Sequence, residues 1–430
     1  MFWFGKRGKC FWLKTVLKTF SAFIGMETMK KIEPAKRTAN VRHALRDIVP
    51  IAQEVEKAGK KVLYLNIGDP MKFDYRTPEH MWKAMNDNRK EGEAYPDALG
   101  GAGARKAVAD YANRSGAENV SPQDTIVFGG GSEAILLSLQ ALINPGENVL
   151  TPCPSYSVYT GELNFLEAKI NEYYLEEGNN WQPDIEDLEK KINDKTRAII
   201  AISPNNPTGA VFSRQTLKKI VDIAGAHNLF IFSDETYDQL LFDDEKFVPI
   251  ASIANDVPVI SQGSISKTYL SPGFRGGWIY KHDPEGALSD YFESIKKLCR
   301  LRLCPVGPVQ FAIEAALNGP QDNLPKLVAK LQKRRDLTFK RVNEIQGLSL
   351  VKPKGAFYAY PKIEIEGVKS DKDFVLSLLR EKGVLVVYGE GFGQKPGSRH
   401  FRIVFLPPEE ILNEAFDKIE EFIREKYPQK

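Results

Sequence analysis

The chain has 430 residues, 42% of them hydrophobic and 27% charged, the balance of a folded protein with two or three domains or one large domain and a smaller companion. A formal net charge of +3, from 59 Lys+Arg against 56 Asp+Glu, offers no basic face for nucleic acid. Cys10, Cys153, Cys299 and Cys304 form no C-x-x-C pair, and the five histidines form no H-E-x-x-H, so a disulfide framework and a metal centre are not expected, and a reducing, cytoplasmic compartment is.

Residues 1–30 form a basic, aromatic extension. Its longest uncharged stretch, Thr19–Met26, falls far short of the ~20 residues that span a bilayer, so no stable membrane association is expected. A start codon placed too far upstream of Met26 or Met29, a disordered tail and a surface amphipathic helix all fit. Residues 31–75 are expected to pack on a small domain, and residues 76–320 to form a large one. There, short apolar runs alternate with helical stretches. Thr125–Phe128, Asn148–Leu150, Arg197–Ile202, Leu229–Phe232 and Val257–Ile260 read as strands. Glu133–Ile143 reads as an apolar helix. Ser213 caps another, with Leu217, Ile220, Val221 and Ala224 on one face. That alternation predicts an α/β domain with a mostly parallel sheet. Residues 321–430 change character: a charged helix at Asn323–Ile345, strands at Gly355–Tyr360 and Phe401–Phe405, and a closing helix at Pro408–Tyr427 predict a small α+β domain.

In an open parallel sheet, ligands bind beyond the carboxyl ends of the strands. Three predicted strands run into informative polar residues: Asn206 in SPNNPTG, Asp234 and Tyr237 in SDETYD, and Ser264 and Lys267 in SISKT, with Arg275 close behind. Gly131–Ser132 opens a helix, a ready anion site. A lysine amine, one fixed carboxylate, amide and phenol donors, and an arginine beside a helix N-terminus are the parts that a pyridine-aldehyde phosphate needs. Taken singly, Asp234 reads as a helix cap and Asn206 as a turn residue. Arg402, in the apolar run FRIVF, must meet either a ligand or an internal carboxylate. The run ending in Lys267 lacks the glycine of a nucleotide-binding loop, since position 266 is Ser, and GEGFG (389–393) reads as a loop.

Taken together, SPNNPTG (203–209), SDETYD (233–238), SISKTYLSPGFRGGW (264–278), GGGSEAI (129–135), AYPDALGG (94–101) and HFRIVF (400–405) resemble the class I/II, fold type I pyridoxal-phosphate aminotransferases. The resemblance runs from about Ala35 onward. The intervals Asn206–Asp234 (28 positions), Asp234–Tyr237 (3) and Lys267–Arg275 (8) are similar to the family's. It implies pyridoxal 5′-phosphate as cofactor, with Lys267 as its Schiff-base lysine and proton shuttle. It further implies Asp234 against the pyridine nitrogen and Asn206 and Tyr237 at the ring hydroxyl. Ser264, Arg275, Gly131 and Ser132 would hold the phosphate, and Tyr156 would stack on the ring. Tyr95 would reach the phosphate of a neighbouring subunit in a homodimer. Arg402 and Asn206 would bind the substrate α-carboxylate, with the Gly68 backbone beside the substrate. LNIGDPMKFDYRTPEHM (65–81), LCRLRLCPVGPVQ (298–310) and KPKGAFYAYPKI (352–363) are similar to the alanine aminotransferase branch. The resemblance thus implies ping-pong transamination between alanine and 2-oxoglutarate. Aspartate or aromatic donors, or a β-lyase reaction on the same scaffold, are the alternatives.

Overall fold

A computed structural model describes residues 31–41 and 48–428. The expectations for residues 1–30 lie outside the described residues. The chain divides into two units, Met1–Ala39 and Asn40–Lys430. In the first, residues 31–39 are exposed. Everything below concerns the second.

A short β1 (Leu63–Tyr64) precedes the strands of a large sheet: β2 (Thr125–Phe128), β3 (Asn148–Cys153), β4 (Asn171–Glu176), β5 (Gln182–Pro183), β6 (Thr196–Ile202), β7 (Phe230–Asp234), β8 (Val259–Ser264) and β9 (Gly277–His282). Their order is β2-β9-β8-β7-β6-β3-β4-β5. The centre, β8-β7-β6-β3-β4, is parallel, while β9 runs antiparallel between β8 and β2, and β5 is antiparallel to β4. The central strands are apolar on successive residues because both faces are covered. Ile199, Ile231 and Val259 face one core, with the helices Ala102–Arg114, Arg214–Ala226 and Gly307–Asn318. Ile200, Ile202, Phe230, Phe232 and Ile260 face the other, with Gly131–Leu142, Ser157–Phe165 and Ser289–Leu301. The Ser213 hydroxyl does cap its helix, accepting from Thr216 N at 3.0 Å.

The C-terminal part carries β10 (Leu348–Ser349), β11 (Tyr358–Ala359), β12 (Lys362–Ile363), β13 (Val384–Leu385), β14 (Val387–Tyr388) and β15 (Phe401–Val404). The helices Asn323–Glu344 and Glu409–Lys426 match their predicted spans to within a residue or two. The six-residue strand expected at Gly355–Tyr360 shrinks to β11. Ala356 takes φ +59, which turns the chain out of the extended region, and Gly355 instead bridges to Leu241. Strand β9 was not anticipated.

Two devices bring the early segment onto the C-terminal part. β1 pairs in parallel with β13, and Val404 N donates to Leu65 O at 2.9 Å. Arg334, 2% exposed, donates to both Asp74 oxygens at 2.9 and 2.8 Å, to Tyr75 Oη at 3.0 Å and to the Leu406 carbonyl. Arg334→Ala should therefore lower stability by about 2–4 kcal/mol, since the buried Leu406 carbonyl and Tyr75 hydroxyl lose their donor. Urea unfolding would show it; an unmoved midpoint would mean that the junction is held by packing alone.

Candidate active site

The carboxyl edge of the sheet is where the polar residues gather. In register across it lie Ile202 opposite Asp234 and Asp234 opposite Gln262, then Ser264 opposite Gly277 and Phe128 opposite Gly277 on its other side. Above this edge opens a cavity of about 600 Å³, a size that suits a small-molecule site. Gly68, Gly131, Ser132, Tyr156, Asn206, Asp234, Tyr237, Ser264, Lys267, Arg275 and Arg402 all line it. Eleven of the twelve residues singled out in the sequence thus meet in one place. Tyr95 is the twelfth; it is 81% exposed and lines no part of the cavity.

Lys267 lies three residues beyond the end of β8, and its Nζ donates to the Gly68 carbonyl at 2.7 Å. Burial pushes this amine from its ordinary 10.5 down to about 8; the Asp69 carboxylate opposes the drop, and Arg402 and Arg275 add to it. Asp234, the last residue of β7, is 5% exposed, and no cation pairs with it among the described residues. Its carboxylate accepts from Tyr159 Oη at 2.9 Å and from Thr236 N at 3.2 Å. Burial raises its pKa, and those two donors only partly offset this.

Arg402 presents the opposite case. It is 1% exposed, yet no carboxylate pairs with it among the described residues. Nη1 donates to Asn206 Oδ1 at 3.0 Å and Nη2 to the Asn66 carbonyl at 2.5 Å, while Nε has no partner. The guanidinium lies over the Tyr358 and Phe392 rings, 4.5 and 4.7 Å from their centroids. Of the two readings open for this arginine, the internal carboxylate is absent.

At the far end, the helix Gly131–Leu142 points its first turn into the cavity. Gly130 has φ +100, and a side chain there would strike Arg275 Nη2 at 2.3 Å. A Cβ on Gly277 would strike the Gly130–Gly131 backbone at 2.5 Å. Only glycine permits this approach of strand, helix start and arginine. Arg275 is exposed there, held by Nη1 donating to the Pro272 carbonyl at 2.9 Å. An arginine beside free helix N–H groups is an anion cradle.

Sequence reading missed Tyr159 and Tyr358. Tyr159 lies three residues beyond Tyr156, in the first turn of the helix Ser157–Phe165 for which Tyr156 is the N-cap. Tyr358 stands in the alternating run GAFYAY, and its Oη lies 2.8 Å from Tyr237 Oη. It was read as strand packing because nothing local marks its partner, 121 positions away.

The unmatched groups define what the cavity must hold. Asp234 calls for a buried cation, Arg402 for a carboxylate, and the glycine cradle with Arg275 for a compact anion, all within reach of a neutralisable lysine. A protonated pyridine bearing a phosphate, together with an amino-acid carboxylate, satisfies every one. Such an edge-of-sheet site on an α/β scaffold defines a fold type I pyridoxal-phosphate-dependent transferase. The family model described as aminotransferase class I and II matches residues 60–419, and the chain belongs to that family. Its cofactor is pyridoxal 5′-phosphate. Over 401 residues the chain is 36% identical to the glutamate-pyruvate aminotransferase AlaA of Escherichia coli K12, covering 92% of this chain and 98% of that one. It is 37% identical over 377 residues to the alanine aminotransferase of Mycobacterium tuberculosis H37Rv, covering 86% and 88%. Among solved structures, the alanine aminotransferase from Pyrococcus furiosus superposes with a TM-score of 0.89 at 46% identity, covering 92% of this chain and all of that one.

In cofactor-free protein, the amine-reactive labelling of Lys267 should rise with pH around a midpoint near 8, because only the neutral amine reacts. Surface lysines should lag behind it. A Lys267 midpoint near its ordinary 10.5 would show that the cavity does not desolvate this group.

Proposed function

We propose that this enzyme transfers the amino group between alanine and 2-oxoglutarate in ping-pong order, with Lys267 as the residue that carries the cofactor. The observation that carries the reading is Arg402, a buried guanidinium without a carboxylate, in one cavity with a Lys267 amine whose pKa is lowered. The relatives named as alanine and glutamate-pyruvate aminotransferases support the choice of substrates.

When bound, pyridoxal phosphate supplies an electron sink for the charge left on the substrate Cα. The rest is the work of this chain. Arg402 grips the α-carboxylate with its planar fork, and Asn206, already bonded to it, fixes the fork's rotation. The Gly68 backbone lies beside the substrate. Lys267 Nζ would take the proton from Cα and deliver it to C4′ of the cofactor in one half-reaction and move a proton in the opposite sense in the other, and its lowered pKa suits it to both tasks near neutral pH. Asp234, steadied by Tyr159, offers a carboxylate to keep the pyridine nitrogen protonated. Asn206 and Tyr237 would bond the ring hydroxyl, and Tyr156 would cover the ring face. Ser264, Arg275 and the Gly131–Ser132 N–H groups would hold the phosphate.

We place the division of the chain at residues 31–75, 76–320 and 321–430. The pairing of β1 with β13 and the Arg334–Asp74 contact support joining the first segment to the third. A homodimer with shared sites accounts for Tyr95, which stands free of its own cavity and near-fully exposed. Cys153, Cys299 and Cys304 are unpaired, and among the described residues no helix is long and apolar enough to cross a membrane. Both observations are compatible with a cytoplasmic enzyme.

Asp234→Ala should fold but lose roughly 10²–10³-fold in kcat, the size expected when one preorganised charge is removed from a reaction centre. Stopped-flow half-reactions would measure it, and a near-normal rate would remove Asp234 from the chemistry. A panel of donors ranked by kcat/KM should place alanine and glutamate above aspartate and the aromatic amino acids. Aspartate or tyrosine in first place would overturn the substrate assignment, and ammonia release without amino transfer would favour a lyase.

A further inference from the structure

Four cations line the active-site cavity: Lys72, Lys267, Arg275 and Arg402. Three already have anions or chemistry assigned to them. Lys72 has neither. It ends the short 3₁₀ turn Pro70–Lys72, is exposed, and its amine has no hydrogen bond or ion pair among the described residues. Resting on the alanine/2-oxoglutarate reading, we propose that Lys72 receives the distal carboxylate of the five-carbon substrates, glutamate and 2-oxoglutarate, and so separates them from alanine and pyruvate.

The geometry points there for three reasons. First, the turn is anchored to the reaction centre. Gly68 O accepts from Lys267 Nζ, and four residues later the chain reaches Lys72. A 3₁₀ turn rises only about 2 Å per residue, so Lys72 stays near that anchor. Second, the turn is fixed rather than loose. Asp69 Oδ1 accepts from Met71 N at 3.0 Å, Asp69 O from Lys72 N at 3.2 Å, and Pro70 O from Phe73 N at 3.0 Å. Third, Ile67, Met71 and the Tyr358 ring give the cavity lining an apolar part, and the Asp69 carboxylate, which also lines it, acts on Lys267. That apolar part suits a methyl group or the methylenes of a longer side chain, with charge tolerated only at the outer end. A lysine on a flexible stem can meet a carboxylate when one is present and swing into water when the side chain is a methyl. One cavity can thereby serve a short neutral side chain and a long anionic one.

The test compares the wild-type holoenzyme with Lys72→Gln and Lys72→Arg, measuring each half-reaction alone. In Lys72→Gln, kcat/KM for glutamate and 2-oxoglutarate should fall about fivefold relative to alanine and pyruvate, the size of one exposed ion pair. Lys72→Arg should restore most of that loss. As a reading free of turnover, calorimetric binding of glutarate should weaken by a similar factor in Lys72→Gln, with propionate binding moving less. An equal loss for both substrate pairs, no loss for either, or no rescue by arginine would overturn the proposal. Wild-type enzyme inert towards alanine or glutamate would instead sink the underlying substrate assignment, and glutarate binding would still decide the part played by Lys72.

Discussion

Arg402 is a positive charge kept out of water with no negative side chain beside it, and the site is organised around that imbalance. Removing a guanidinium from solvent is costly unless something compensates it. Here the Asn206 amide oxygen, the Asn66 carbonyl and two aromatic faces do so in part. None of them carries a full charge. The remainder is uncompensated, which is why we propose that the substrate carboxylate supplies it, meeting a donor already oriented and desolvated. Preorganisation of this kind is what makes a binding charge useful in catalysis.

Asp234 is the mirror image: a buried carboxylate supplied with neutral donors and no cation. The two unmatched charges lie in the same cavity with Lys267. They form no ion pair with each other, and they stand on different elements. Asp234 ends β7 in the large sheet, and Arg402 sits in β15, beside the early chain at Asn66. The site therefore exists only when the C-terminal strands and the segment around Gly68 are docked over the sheet edge. This gives Arg334, which touches neither cofactor nor substrate, a share in assembling it.

Much of the architecture was legible in the chain order of residues. Central strands such as RAIIAI announce burial on both faces by being apolar without alternation. Ser213 announces a helix start by the hydrogen bond that it offers. Several candidate site residues were legible as well, because Asn206, Asp234, Ser264 and Lys267 sit at or just beyond the carboxyl end of a central strand, which faces the cleft. What escaped were residues whose role depends on a distant partner. Tyr159 contacts Asp234 across 75 positions and Tyr358 contacts Tyr237 across 121. Both look like core aromatics until the chain is folded.

The class of fold was readable from the sequence by itself, because it follows from periodicity, while the cofactor and the candidate roles of Lys267, Asp234, Arg275 and Arg402 are what the resemblance carried by the motifs implies. Tertiary structure alone decided that Arg402 has no internal carboxylate, that Tyr159 holds Asp234, and that Tyr95 stands apart from its own cavity. These are statements about distance and desolvation. They depend on which elements pack together, and a one-dimensional order of residues does not specify the dielectric around a charge.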